Sequence, residues 1–167
     1  MKKMTQAEYD ALPIVDGWRE CPTADYSAIK IFGERCRFGA WSSFGAWSSF
    51  GEGSSFGDWS SFGDRASFGE RASFGAGCAV ENGNAILDNC VYTAGGFGSA
   101  NRTTYGFAVA GGVLVRCGCW CGMLPEFRER VREVHGGTAM EREYLLVADL
   151  FALRRERAVW GKQEGPV

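Results

Sequence analysis

The chain has 167 residues, 46% of them hydrophobic and 14% aromatic, with a formal net charge of −2. That length holds one ordinary domain, or a repeat module with small flanking pieces, and the apolar content is enough for a core. No Lys/Arg cluster marks a nucleic-acid face, and no apolar run approaches the roughly 18–20 residues of a membrane span, so neither partner is expected. Seven cysteines, an odd number, come after a start that lacks the apolar stretch of a secretion leader. They predict reduced thiols and a cytoplasmic protein.

In chain order, Thr5-Gln6-Ala7-Glu8 has the spacing of a capping box and predicts a short helix from Thr5 to Leu12, stopped by Pro13. Asp16-Gly17 predicts a turn, and residues 22–31 an extended lead toward Phe32. Residues 1–31 are therefore expected to cap the segment that begins at Phe32, because the open end of a stacked coil exposes unpaired backbone.

From Phe32 to Phe74 a Phe-Gly pair recurs every six residues. The first place of each six is large and apolar: Phe32, Phe38, Phe44, Phe50, Phe56, Phe62, Phe68 and Phe74, continued by Val80 and Ile86. The fifth place is small: Cys36, Ser42, Ser48, Ser54, Ser60, Ala66, Ala72 and Cys78, then Asn84 and Cys90. A fixed period means one unit repeated and stacked. Three sixes close a triangular coil of about 18 residues, whose strands stack as parallel sheets about 4.8 Å apart. Stacking predicts three inner ladders: Phe32, Phe50, Phe68 and Ile86; Phe38, Phe56, Phe74 and Tyr92; Phe44, Phe62 and Val80.

The outward places of the same sixes supply candidate binding residues. Glu34, Glu52 and Glu70 share one face with Arg35 and Arg71, and read as a solvated charged ladder. Trp41 falls over Trp59, and Trp47 beside Arg65. Exposed tryptophans on a regular surface mark interaction sites, so Trp41, Trp47 and Trp59 are the leading contact residues.

This pattern resembles the hexapeptide-repeat left-handed β-helix over residues 32–91. That motif is an aliphatic residue, then Gly, Ala or an acid, two free positions and a small residue; Phe replaces the usual aliphatic here. The resemblance implies a mainly β fold, a left-handed parallel β-helix of about three coils. Proteins of this family commonly trimerise, which implies a homo-oligomer. Many are acetyl-CoA-dependent acyltransferases that place a catalytic His on the coil or on a loop from it. No His lies within residues 32–91, and the sole histidine is His135. The expected protein is therefore a non-enzymatic binding or assembly module without a cofactor; the alternative is an acyltransferase-like enzyme with His135 as its base.

After Val91 the rhythm fails, and Gly95 to Ala100 reads as a loop. Thr103–Ala110 and Val113–Cys119, joined around Gly111-Gly112, predict a β-hairpin. Pro125 opens a helix that ends at Gly136-Gly137, and a second helix is expected from Ala139 to Val159. Its apolar residues cover a wide arc, with Tyr144 and Phe151 as contact candidates. The chain thus divides into a cap (1–31), a β-helix (32–97) and a ββαα unit (98–167). Cys117, Cys119 and Cys121 would line one face of a strand, but C-x-C-x-C lacks zinc spacing. Buried structural thiols are the favoured reading and metal ligation the weaker one. His135, beside Gly136, suits a helix end better than a general base.

The whole chain also resembles a group of small repeat proteins of gut bacteria and their phages. The shared features are Asp16 to Thr23, the Ser-Phe-Gly sixes and the turn from Arg116 to Gly122. That setting implies an inhibitor or sponge acting on host defence, with a host protein or a small signalling molecule as its partner.

Overall fold

The computed structural model describes residues 1–87, 91–98, 101 and 103–160, the last three by backbone alone. The chain divides into two compact units, Met1–Asn89 and Cys90–Val167. Cys90 and the end of the loop expected at Gly95 to Ala100 lie outside the described residues.

The first unit is a parallel β-solenoid. Its strands are short Ser-Phe pieces that pair with the piece one coil later: Ser43 with Ser61, Ser49 with Ser67, Ser55 with Ser73. The offset is 18 residues in each case, so three sixes make one coil and about three coils make the rod. Inside, the eight phenylalanines are 2–7% exposed. Rings of one ladder lie parallel, as in Phe32–Phe50 (4.7 Å, 7°) and Phe44–Phe62 (5.0 Å, 8°). Rings of different ladders meet edge-on, as in Phe44–Phe50 (4.9 Å, 89°). Each such pair adds about 0.5–1.5 kcal/mol beyond the area it buries.

Two further places of the six are fixed by the coil beneath. A Cβ on Gly51 would stand 2.6 Å from the Glu34 nitrogen and 2.7 Å from the Gly33 carbonyl carbon. The second-place glycine is thus demanded by close backbone approach, at an ordinary φ. At the fifth place Ser42, Ser48, Ser54 and Ser60 are fully buried. Each hydroxyl donates to the carbonyl of the glycine three residues earlier, at 2.6–3.0 Å. A buried hydroxyl without such a partner would cost about 1–3 kcal/mol.

The N-terminal segment forms as its signals predict, and adds more. Thr5 caps the helix Gln6–Asp10 with a complete capping box through Glu8. The turn at Asp16-Gly17 joins Ile14–Val15 to Trp18–Cys21 in an antiparallel pair. Residues 22–31 are more than a lead-in. Tyr26 is fully buried and stacks on Phe44 (5.4 Å, 12°), Asp25 bridges Ser43 in parallel, and Trp18–Cys21 pairs in parallel with Cys36–Phe38. The coil therefore starts before Phe32. Tyr9 closes the column from below: its ring meets Phe32 edge-on at 5.3 Å, and its hydroxyl accepts the Gly33 N–H.

The upper end departs from the expected ladders. Ala79–Val80 pairs in parallel with the strand below but antiparallel with Asn84–Ala85, so the chain turns back through Glu81, Asn82 and Gly83. Ile86 is buried, with its N–H on the Cys78 carbonyl, but it adds no rung to the Phe32–Phe50–Phe68 sheet. Tyr92 lies in a strand of the second unit and belongs to that unit's core, so it adds no rung to the Phe38–Phe56–Phe74 sheet.

The second unit has four antiparallel strands in chain order, Val91–Ala94, Thr104–Val109, Gly112–Cys117 and Trp120–Met123. The helices Leu124–His135 and Ala139–Trp160 come after them. The unit is therefore ββββαα: the expected hairpin and helices are present, with one strand added on each side of the hairpin. Tyr144 and Phe151, contact candidates by sequence, are buried in its core with Phe127, Val131 and Val115.

These contacts predict opposite tolerances inside one repeat. Gly51→Ala should abolish or severely weaken folding, because the neighbour it strikes is backbone. Ser48→Ala should cost only about 1 kcal/mol, since Ala66 and Ala72 already occupy the same place. Thermal unfolding followed by circular dichroism separates the two.

Candidate functional site

The fourth place of every six from Arg35 to Gly77 has a left-handed backbone, with φ of 50–72°. These are the corners of the coil. Gly53 and Gly77 adopt such angles at little cost, whereas a bulky residue costs about 1–2 kcal/mol. Nonetheless Trp41, Trp47 and Trp59 stand at three corners, all with φ near 60° and with 62%, 63% and 55% of their surface exposed. Trp41 stacks on Trp59 (5.7 Å, 17°), and the Trp59 ring covers Gly77 one coil further on. The Arg65 guanidinium lies 4.6 Å over the Trp47 ring. The sequence-derived pairings of these residues hold.

The charged ladder also assembles. Glu34, Arg35, Glu52 and Arg71, with Trp18, surround a shallow cavity of about 340 Å³ on the first unit. Arg71 pairs with Glu52 at 3.4 Å, but the two side chains are 81% and 50% exposed. Ion pairs so solvated contribute about 0–1 kcal/mol. Glu70 is not among the residues that line this cavity.

Beneath the coil lies a thiol cluster that sequence inspection did not single out. Cys36 is fully buried, with the Tyr9 hydroxyl 3.2 Å from its sulfur. The neighbouring Cys36, and burial after it, push the Cys21 thiol up; burial likewise pushes up the Tyr9 phenol. Burial also raises Cys78 at the other end of the column. The signal for this cluster was faint: Cys21 and Cys36 become neighbours only because Trp18–Cys21 joins the coil.

The second unit brings together residues that are distant in sequence. His135 ends its helix and stacks on Tyr144 (5.3 Å, 21°), while Trp120 leans on Phe127 (5.6 Å, 46°). These four rings, with Val134 and Arg130, enclose a pocket of about 290 Å³. Cys117 and Cys119 reach its wall and Cys121 does not. The three cysteines were expected to line one face of a strand; instead the chain turns between Cys117 and Trp120 and divides them. Cys119 is exposed and the other two are half-buried, so the reading as buried thiols is also corrected. Among the described residues no group of three potential metal ligands forms. The His135 carbonyl is capped by the N–H and hydroxyl of Thr138, in keeping with a helix end.

Among the described residues no helix is long and apolar enough to cross a membrane. Comparison with family models, with curated proteins and with solved structures finds no match to this chain.

The cysteine environments give a direct expectation. In the folded protein Cys119 should be alkylated by iodoacetamide first, whereas Cys21, Cys36 and Cys78 should react only after denaturation. Mass spectrometry of the peptides over time checks the order.

Proposed function

We propose that the protein is a non-enzymatic binding and assembly module whose rod, a left-handed β-helix, joins copies of itself through its tryptophan-bearing corners. One observation carries this reading: three tryptophans occupy strained left-handed corners while more than half exposed. The fold itself needs only glycine there, as Gly53 and Gly77 demonstrate. Stacking of Trp41 on Trp59 returns about 0.5–1.5 kcal/mol, and the Arg65–Trp47 contact about 0.5–1 kcal/mol at an exposed site. Those returns fall short of the strain at three corners, about 1–2 kcal/mol each. A partner surface that covers the indole edges makes up the difference. An acyltransferase finds less support. The coil has no histidine, and the pocket beside His135, at about 290 Å³, is small for a nucleotide-sized cofactor.

The decisive experiment exploits the corners themselves. With Trp41, Trp47 and Trp59 all replaced by Gly, the protein should remain folded by circular dichroism, because glycine relieves the strain at all three corners. Light scattering after size-exclusion should then show a trimer for the native chain and a monomer for the variant. A native chain that is monomeric while folded would overturn the proposal.

A further inference from the structure

The pocket of the second unit has a composition that selects its ligand. Two aromatic pairs wall it, His135 with Tyr144 and Trp120 with Phe127, so flat apolar surface faces the space. Its volume of about 290 Å³ lies at the lower end of small-molecule sites, enough for one or two fused rings. Among the described residues no carboxylate lines it, and Arg130 supplies a permanent cation. Among the described residues Arg130 pairs with Glu133, 3.4 Å away on the same helix, with both side chains more than half exposed. Such i,i+3 pairs are worth about 0.2–0.5 kcal/mol, so the guanidinium is free to exchange Glu133 for a ligand oxyanion in a bidentate contact.

We propose that this pocket is a binding site for a small planar aromatic carboxylate, with the rings stacked among Trp120, Phe127 and Tyr144 and the carboxylate on Arg130. The site lies wholly within the second unit and does not depend on how the rod associates. Titration calorimetry with 1-naphthoate and its uncharged counterpart 1-naphthamide provides the test. Naphthoate should bind at least about tenfold more tightly than the amide, a difference of about 1.4 kcal/mol. Arg130→Gln should erase that difference while leaving the amide unchanged. Val134→Trp changes a half-exposed wall residue and should fill the pocket, abolishing binding of both probes in a protein that remains folded by circular dichroism. Equal affinity of the two probes for the native protein would overturn the assignment of charge. Absence of binding by either, or binding that survives Val134→Trp, would overturn the site.

Discussion

Everything in the first unit depends on how closely one coil lies on the next. The backbone of one coil approaches the backbone below so nearly that a single Cβ cannot be interposed, which is why glycine comes after each phenylalanine from Phe38 to Phe74. At that spacing the inner rings of one ladder have to lie parallel, one per coil, and rings of different ladders have to meet edge-on. Three phenylalanines per coil fill the interior, and only a small residue fits four places later. Serine is accepted there because the glycine carbonyl three residues back is within reach of its hydroxyl. Ring, glycine and serine are one packing solution seen at three positions.

The regular middle of this solution was legible in the sequence because each of its constraints leaves a residue type at a fixed place. Its two ends were not. Below Phe32 the register slips: Cys21 pairs with Phe38, 17 residues on rather than 18, so the count in sixes loses Trp18–Cys21 although Tyr26 keeps its place under Phe44. Above Phe74 the opposite error occurred. Val80 stays in the strand that pairs with Ser61–Phe62 and Ile86 continues the hydrophobic spacing, but Asn82-Gly83 is turn chemistry, and both residues have the positive φ that a tight hairpin uses. Turn chemistry overrode periodicity, and the chain folded back on itself.

The pocket of the second unit was illegible for a different reason. His135, Trp120 and Tyr144 come from a helix end, an edge strand and a second helix, and only the packing of strands against helices makes them neighbours. The cysteine cluster misled because its spacing suits one face of an extended strand, while Gly118, with φ of 61°, turns the chain in the middle of it. Tyr144 illustrates the general limit of reading a helix by its apolar arc. The arc does not say which of its residues meet the same chain: Tyr144, Ala148 and Phe151 are buried, whereas Leu146, Leu150 and Leu153 are exposed.

The outer surface of the rod is chosen under weaker rules than the inner, and for that reason it is more informative about function. Inside, almost any departure from the pattern is punished by backbone collision or an unpaired hydroxyl. At the corners the backbone asks only for tolerance of positive φ, which glycine provides best. Arginine stands at three of the same corners, Arg35, Arg65 and Arg71, with the same positive φ. Tryptophan at Trp41, Trp47 and Trp59 differs in leaving a large apolar side chain exposed. The corners at Trp41, Trp47 and Trp59 are therefore the places on the rod where the coil's own packing leaves the choice of residue most open.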